Sequence, residues 1–401
     1  MIKKIFKTYD FSLLGAYLLL TVFGLIMIYS ASMVTTIQVY HLTDSAYFFK
    51  KQLGNFLIAF VLLVVMAIVP YRIYKKNSIL VLIVLGSIVG LISLYVIGLN
   101  INTATSWIAL GARRIQPSEF VKLFVIIYLS AVYAKKQSYI NDFNYGVIPP
   151  ILFLVLTTFL TMIQPDIGTA FIMFSTGTII VFCSGMNWKN LLKLIGIGLL
   201  IILFLSPFLY FAKDKVFTAE RISRLTISYS DPFNDELGEG YQLVNSYLAI
   251  GSGGWTGVGL GKSVQKLGYL PEAHTDFIMS IIAEELGIFG VSYVIILLTF
   301  IVLKSLRIGM KCRDPLGSLL AFGIGGMIGI QSIINLGGIS GLLPLTGVTL
   351  PFISYGGSSL VVLSMAIGLL LNVSKYTNQM ERNETETAKN DLSQAKGSFR
   401  A

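Results

Sequence analysis

One aspartate stands out because it lies where a long apolar segment begins. Asp276 follows Glu272-Ala273-His274-Thr275 and precedes a run of aliphatic and aromatic residues. A carboxylate at such a place could take a proton from a reacting hydroxyl, or it could cap the start of a helix. Thr275 would serve equally well as the cap, so the cap does not require Asp276. We single out Asp276 for chemistry and regard His274 as a supporting residue at most.

A second candidate pair opens another apolar segment. Glu119 and Lys122 follow Gln116-Pro117-Ser118 and lie three residues apart, which places them on one face of a helix. Ionisable side chains are rare at membrane depth and usually line a polar cavity. We therefore predict that this pair lines a cavity, with the basic residues Arg113 and Arg114 just before it.

The segment from about 212 to 274 is long, basic and aromatic. It contains Arg221, Arg224, Gln242 and Lys262, and residues after Gly240 could form a short helix lying on a membrane. Basic and aromatic residues together suit an anionic lipid head group, but a solvated loop is an equal alternative. Its glycine-rich part, 251–263, does not match the phosphate-binding loop spacing and predicts a close backbone approach instead.

Glycine and proline are frequent in the otherwise apolar stretch 341–359, which includes Ser354, Gly356 and Gly357. Such a composition predicts a broken, re-entrant backbone, which is tolerated only where it lines a cavity. In the shorter turn Gln164-Pro165-Asp166, we expect Asp166 to cap a helix.

The elements that position these residues are predicted to be transmembrane helices. The chain has 401 residues, of which 55% are hydrophobic and 12% charged, whereas soluble domains carry about 25% charged residues. This composition excludes a soluble globular enzyme. Lengths of about 20 apolar residues predict an all-α polytopic membrane protein with about ten helices, at 11–33, 51–69, 78–97, 118–134, 148–164, 167–185, 191–211, 275–303, 316–340 and 355–374.

The distribution of charge predicts the orientation. The 30 basic residues exceed the 20 acidic ones, and in short loops they concentrate on the side of the termini, which the positive-inside rule places in the cytoplasm. The long loop then precedes the eighth helix on the outer side. We expect one transmembrane domain over 1–374 and a disordered cytoplasmic tail over 375–401. The basic excess is a topology signal, so no nucleic-acid partner is expected.

Several of these motifs resemble the SEDS family of bacterial cell-wall proteins, the FtsW/RodA/SpoVE group. The resemblance covers about 11–372 and rests on the order of motifs along the chain. Thr349 and the Ala273-His274 pairing look more like the division subgroup, FtsW, than the elongation subgroup, RodA. The matching motifs are Gln116-Pro117-Ser118-Glu119, Gln164-Pro165-Asp166, Gly240-Tyr241-Gln242, Glu272 to Phe277 and the stretch 341–359.

The resemblance implies a peptidoglycan glycosyltransferase that polymerises lipid II, an undecaprenyl diphosphate disaccharide-pentapeptide, at the outer face of the bacterial cytoplasmic membrane, and we expect it at the division septum. It implies that Asp276 is the essential aspartate. It also implies a class B penicillin-binding protein as partner, together with other membrane proteins of the divisome or elongasome.

The chemistry of such a reaction fits the residues. Asp276 would deprotonate the sugar 4-hydroxyl of one lipid II, which displaces undecaprenyl diphosphate from another with inversion. Positive charge from Lys122, Arg113, Arg114, Arg221 or Arg224 would stabilise the leaving diphosphate. The sequence requires no cofactor. A divalent cation, Mg²⁺ or Mn²⁺, bound near Asp276 could also stabilise the leaving diphosphate, although the sequence shows no dedicated oxygen cage for it. Supporting contacts are expected from Glu119, Gln242, Lys262, His274, Ser354, Gly356 and Gly357.

Two other functions stay open. A lipid II flippase would explain ten spans with broken helices and intramembrane charges. A non-catalytic scaffold would recruit a transpeptidase through its spans and would not need Asp276. The concentration of unexplained polar residues on the outer side favours the polymerase, because a flippase should have a comparable inner site.

Overall fold

The chain is built of long helices joined mostly by short connections. The computed structural model describes residues 8–38, 43–101, 104–111, 113–211, 232 and 238–398. Within these ranges the α-helices are α1 (Phe11–Gln38), α2 (Tyr47–Ile68), α3 (Asn77–Ile97), α4 (Pro117–Lys135), α5 (Ile148–Ile163), α6 (Ile167–Cys183), α7 (Trp188–Phe211), α8 (Glu239–Gly253), α9 (Ile278–Lys311), α10 (Pro315–Ile339) and α11 (Gly357–Ser398).

The expected spans are present as helices. Eight helical segments in the described ranges are long and apolar enough to cross a membrane. The sixth expected span, α6, has 17 residues, which corresponds to roughly 25 Å of helix. The seventh, α7, has 24 residues. The all-α polytopic membrane fold predicted from composition is therefore confirmed.

The long helices alternate in direction, so the molecule has two ends. At one end Asn378 donates a hydrogen bond to the carbonyl of Thr8 at 2.9 Å, and the Lys375 ammonium lies 5.1 Å from the ring centre of Tyr9. The first and last spans thus approach each other there. We call this the basic end, and the opposite end, which carries Asp276, the site end.

Local sequence explains where several helices begin. Asp314 accepts a hydrogen bond from the backbone N–H of Leu316 and precedes Pro315, the first residue of α10. Pro117 likewise occupies the first position of α4. Proline suits this position because its missing N–H would have no partner within the helix.

A small antiparallel sheet covers part of the site end, which the sequence did not predict. Its strands are β1 (Leu99–Ile101), β2 (Ala104–Leu110) and β3 (Arg113–Ile115), in the order β1-β2-β3. Strands of three to seven residues are too short for a reliable alternation of apolar and polar residues. Because β3 leads directly into α4, the sheet fixes where α4 starts.

Helix α10 is the centre of the bundle and packs against α4, α6, α9 and α11. Helices α2 and α3 lie further out and expose many aliphatic side chains, for example Val96 at 81% and Leu82 at 70%. An apolar outer surface of this kind suits contact with lipid.

The polar tail differs from the prediction. Residues 375–398 continue α11 and do not form a separate disordered segment. Lys311 pairs with Glu381 at 3.2 Å and Arg313 pairs with Glu384, so the extension is tied to the connection between α9 and α10. The segment is rich in Glu, Lys, Gln and Ala, which are strong helix formers, and a preceding helix removes the cost of nucleation.

Candidate functional site

Asp276 lies in the turn that leads into α9 at the site end. The residue that caps α9 is Phe277, and no side chain forms a cap hydrogen bond there. The N-cap position is thus occupied by neither Asp276 nor Thr275, and Thr275 donates to the carboxylate of Glu272 at 2.6 Å. Asp276 is half-buried, and its Oδ2 lies 3.5 Å from the position that a Cβ on Gly347 would occupy. Its carboxylate thus borders a glycine of the connection between α10 and α11.

Two carboxamides on α10 hold this region together, and neither was among the predicted site residues. Asn335 donates from Nδ2 to the carbonyl oxygens of Asp276 and Val348, both at 2.8 Å. Gln331, one turn earlier, donates to the carbonyl of Thr349 at 3.0 Å. Both amides lie on the same face because they are four residues apart. Two amides at this spacing in an apolar helix are the sequence signal that could have found them.

The Glu119–Lys122 pair is buried and connected to the same carboxamides. The Lys122 Nζ lies 2.9 Å from Glu119 Oε1, with the side chains only 2% and 8% exposed. The ammonium also donates to Gln331 Oε1 at 3.3 Å. The pair therefore reaches the α10–α11 connection through Gln331. The second oxygen, Glu119 Oε2, is buried without a hydrogen-bond partner among the described residues.

The connection between α10 and α11, residues 340–356, is a non-helical coil packed between helices. Gly347 and Phe352 have positive φ values of 69° and 67°. Ser354 is buried and accepts a hydrogen bond from the N–H of Leu350 at 2.9 Å. A Cβ on Gly24 of α1 would lie 2.8 Å from the Cα of Ile353. The broken backbone predicted for this stretch is present and is closely packed.

The end of this coil leads into α11. Gly356 donates its N–H to Gln52 Oε1 at 3.4 Å, and Gly357 begins α11. A Cβ on Gly357 would approach Asn55 Nδ2 to 2.8 Å. These two glycines therefore serve the packing of α11 against α2, and the described contacts give them no direct role at Asp276.

His274 packs in an aromatic cluster. It is 3% exposed, and its ring centre lies 4.4 Å from that of Phe48 and 5.6 Å from that of Tyr355. Burial lowers the pKa of His274, against the opposing effect of the Glu272 charge. The imidazole is therefore neutral at neutral pH, and it acts here by packing beside Asp276.

Asp166 has the capping role that its position predicted. Its Oδ1 accepts from the N–H of Thr169 at 3.1 Å in the first turn of α6. Its Oδ2 accepts from Gln116 Nε2 at 2.9 Å and from Ser118 Oγ at 3.2 Å. The carboxylate thus joins the starts of α4 and α6 at the site end.

The glycine-rich loop approaches the backbone of α9 closely, as predicted. Cβ atoms on Gly253 and Gly257 would collide with the carbonyls of Ala283 and Glu285. Beneath the loop, Lys266 pairs with Glu285 at 2.7 Å in a fully buried contact. The other loop lysine, Lys262, is exposed, and its described contacts do not bring it to Asp276.

Of the remaining predicted cationic residues, Arg113 and Arg114 lie on β3 of the small sheet. Arg114 is exposed on β3, opposite Ala109, and Arg113 pairs through its backbone with Leu110. Gln242 is half-buried on α8. Arg221 and Arg224 lie outside the described residues. A role for these residues in binding an anion stays a prediction.

The donor set around Asp276 does not fit a metal cage formed by the protein alone. In the described ranges there is no group of three or more His, Cys, Asp or Glu residues that could hold a metal ion. A single carboxylate leaves most coordination positions of Mg²⁺ or Mn²⁺ to water or substrate.

Comparison with known proteins identifies the family. The model for the FtsW/RodA/SpoVE group, described as a cell cycle protein, matches residues 11–379. The chain is 50% identical over 381 residues to the "Probable peptidoglycan glycosyltransferase FtsW" of Bacillus subtilis (strain 168), covering 95% of this chain and 94% of that protein. It is 40% identical over 368 residues to the "Stage V sporulation protein E" of the same organism, covering 92% and 97%.

A solved structure supports the same assignment. One chain of a peptidoglycan synthase complex, studied for its structural coordination of polymerization and crosslinking, is similar with a TM-score of 0.72 and 26% identity, covering 92% of this chain and 98% of that chain. The resemblance inferred from the motifs is thus confirmed over nearly the whole length, and this chain belongs to the FtsW/RodA/SpoVE family.

Proposed function

We propose that this chain is a peptidoglycan glycosyltransferase that polymerises lipid II, with Asp276 as the general base. The activity is the one named for the Bacillus subtilis relative at 50% identity. The observation that carries the residue assignment is the position of Asp276. Its carboxylate is half-buried beside Gly347, and its backbone carbonyl accepts a hydrogen bond from Asn335. Such fixed placement is what a base needs to meet an incoming hydroxyl.

The proposed reaction forms a glycosidic bond and breaks the bond between the donor sugar and its diphosphate. As the 4-hydroxyl oxygen of the acceptor sugar attacks the anomeric carbon of the donor, its proton passes to Asp276. The bond from that carbon to the diphosphate breaks, and undecaprenyl diphosphate leaves with the bonding electrons and with inversion at carbon. A diphosphate is a stable anion, so it requires positive charge more than a proton donor. Arg113, Arg114, Arg221 and Arg224 are the candidate residues for that charge.

Glu119 and Lys122 are positioning residues in this proposal. The ammonium of Lys122 is 2% exposed and already paired, so a direct contact with diphosphate would require the pair to open. Through Gln331 it instead supports the coil at Thr349, two residues after Gly347. We infer that the pair fixes the coil against which Asp276 lies. The burial of His274 makes it a packing neighbour of the base and not a second base.

The partner and the cellular site belong to the same proposal. The similar chain comes from a peptidoglycan synthase complex that coordinates polymerization and crosslinking, and crosslinking is a separate chemistry from sugar transfer. We propose a class B penicillin-binding protein as the crosslinking partner, lipid II as substrate, and the division septum of the bacterial cytoplasmic membrane as the location. The basic end would face the cytoplasm and the site end the outer side.

The decisive experiment compares glycan products from purified lipid II for wild type, Asp276→Asn and Asp44→Asn, each with and without the partner. Asp44→Asn is the matched control, because it removes a carboxylate from an exposed pair with Lys50. General-base catalysis contributes about a hundred- to ten-thousand-fold. Asp276→Asn should therefore reduce polymer by at least about a hundredfold, while Asp44→Asn keeps wild-type activity.

The same experiment separates the alternatives. Full polymerisation by folded Asp276→Asn protein would refute the base assignment. Movement of labelled lipid II across vesicles without glycan chains from the wild type would favour a flippase. A scaffold would give neither product nor lipid movement, and it would tolerate Asp276→Asn in cells.

A further inference from the structure

A groove at the basic end lies between α3 and α4, on the opposite side of the membrane from Asp276. Its volume is about 460 Å³. Its wall is aliphatic and includes Leu80, Val84 and Leu85 of α3 and Val132 of α4. Leu85 is 55% exposed, so the groove opens on the outer surface of the bundle, where a bilayer would lie.

Two lysines form the rim of this groove. Lys135 donates to Asn77 Oδ1, and Lys136 donates to the carbonyl of Tyr145. Among the described residues, neither ammonium is in an ion pair, whereas Lys75, in the preceding connection, pairs with Asp314 at 3.0 Å. Lys135 is the last residue of α4 and Lys136 is its C-cap, and a helix C-terminus favours cations.

The charge at the rim is only partly solvated. Lys136 is half-buried, and burial lowers its pKa. An ammonium withdrawn from water without a carboxylate partner is a favourable place for an external anion, because the anion restores the lost electrostatic stabilisation. An aliphatic wall with the half-buried Lys136 and the exposed Lys135 at one mouth is complementary to a molecule with hydrocarbon chains and a negative head group.

We propose that the α3–α4 groove binds one anionic glycerophospholipid of the leaflet at the basic end, with an acyl chain along Leu80 and Val84 and the phosphate at Lys135 and Lys136. Basic pockets between transmembrane helices are suited to such head groups. The site is independent of the proposed glycosyltransferase function, since none of its residues takes part in the chemistry at Asp276. The lipid would fasten α3, an outer helix, to α4, whose other end carries the Glu119–Lys122 pair.

Native mass spectrometry of the purified full chain tests the proposal. The chain would be titrated with phosphatidylglycerol or phosphatidylcholine of identical acyl chains. The wild type should retain one phosphatidylglycerol in preference to phosphatidylcholine. Each lysine near an anionic head group contributes about 1 kcal/mol, so Lys135→Gln with Lys136→Gln should weaken retention roughly 10- to 30-fold.

The matched control removes the same charge from the same end. Lys189→Gln with Lys193→Gln alters two exposed lysines of α7, and Gln137 beside the groove contacts the carbonyl of Ser184 just before α7 at 3.0 Å. This control should bind as the wild type does. A second variant, Val84→Trp, fills the wall and keeps the charges. It should also reduce retention, and it carries the test if the double lysine variant does not fold.

Three outcomes would overturn the proposal. Equal phosphatidylglycerol retention by the Lys135/Lys136 and Lys189/Lys193 variants would show that the rim lysines do not bind the lipid phosphate. Equal retention of phosphatidylcholine would remove the anionic selectivity. Preferential retention of an undecaprenyl diphosphate lipid, or displacement by inorganic phosphate, would assign the groove to a different ligand.

Discussion

At the scale of single residues, the site is defined by backbone positions as much as by side chains. Asp276 is held through its carbonyl by Asn335, and the same carboxamide holds Val348. A buried carbonyl that loses its partner costs about 1–3 kcal/mol, so these contacts strongly favour one arrangement. The carboxylate then faces Gly347, whose backbone has a positive φ of 69°. The geometry of the candidate base therefore depends on a glycine in the coil.

Gly347→Ala tests this dependence. A non-glycine residue in the left-handed region costs roughly 1–2 kcal/mol, and the new methyl group would lie in contact with Asp276 Oδ2, at 3.5 Å. We expect a loss of polymerisation of at least tenfold together with a small decrease in thermal stability. The measurement is glycan product per folded protein, with the unfolding midpoint recorded on the same sample.

Gly261→Ala is the matched control for backbone strain. Gly261 also has a positive φ, 82°, but a Cβ there would meet nothing within 4 Å. It should lose similar stability and keep its activity. If both variants lose activity equally, the contact with Asp276 is not the cause.

Part of this site could be predicted from the sequence and part could not. Asp276 was singled out because the helix cap did not require its carboxylate, and the family resemblance gave it the role of the essential aspartate. Glu119 and Lys122 were singled out because their spacing places them together. Gln331 and Asn335 were missed, because two amides four residues apart indicate a shared polar face of the helix but do not reveal which backbone carbonyls they will meet. Those partners come from a coil and a turn that only the folded chain brings beside α10.

At the scale of elements, α9 and the loop before it form one packed unit. Helix α9 is interrupted at Gly287, where φ is 61° and ψ is −154°. The N–H of Ile288 donates to the backbone carbonyl of Gly254 at 3.1 Å. The N–H groups of Val258 and Gly259 donate to the backbone carbonyls of Glu284 and Glu285 at 2.9 and 3.0 Å. The loop thus supplies partners for backbone groups that the kink releases.

The buried Lys266–Glu285 contact fastens this unit to α1. The Ser30 hydroxyl lies 2.8 and 2.7 Å from the two carboxylate oxygens of Glu285. Breaking a buried pair by removing one charge costs about 3–5 kcal/mol, because the other charge is left without compensation. We predict that Glu285→Gln and Lys266→Met each lower the thermal unfolding midpoint strongly, and that the double variant is less destabilised than the sum of the two.

The exposed Lys50–Asp44 pair provides the control for this prediction. Its side chains are 66% and 45% exposed, and such pairs contribute about 0–1 kcal/mol. Lys50→Gln should therefore shift the unfolding midpoint little. A Glu285→Gln shift no larger than that of Lys50→Gln would contradict the structural role assigned to the buried pair.

The elements themselves were predictable to very different degrees. Long apolar runs fixed the spanning helices, since few other structures satisfy the backbone within a membrane. The short sheet and the continuation of α11 to Ser398 were not predicted, because each depends on a neighbour. Strand β3 depends on its pairing with β2, and the polar end of α11 depends on ion pairs with Lys311 and Arg313.

At the scale of the whole molecule, an apolar bundle is joined by polar contacts at both ends. At the basic end the centre of these contacts is Asp314, which caps α10. It accepts from the hydroxyl of Tyr71 at 2.9 Å and from the ammonium of Lys75 at 3.0 Å. Tyr71 in turn donates its N–H to Asn372 of α11 at 2.9 Å. One carboxylate thus links the α2–α3 connection and α11 to the start of α10.

The charge of Asp314 should make this junction sensitive to acid. Burial alone would raise the pKa of Asp314, but hydrogen bonds from Lys75 and Tyr71 and the charge of Lys75 outweigh it and hold the pKa below its ordinary value. A carboxylate with a depressed folded-state pKa stabilises the fold fully above its unfolded-state pKa of about 3.9. That contribution is lost as pH falls through the lower folded-state value.

Asp314→Asn separates the charge from the cap, because asparagine caps helices about as well as aspartate. At neutral pH the variant should be less stable by about 1.5–3 kcal/mol, the range for hydrogen bonds to a charged group. Unfolding midpoints of the purified chain, measured from pH 7 to pH 3, should show a constant difference from wild type down to about pH 5 and a shrinking one below. Asp44→Asn, which alters an exposed carboxylate at the site end, should show little difference at any pH. A difference that stays constant to pH 3, or grows as pH falls, would show that the ionised carboxylate of Asp314 is not what holds the basic end together.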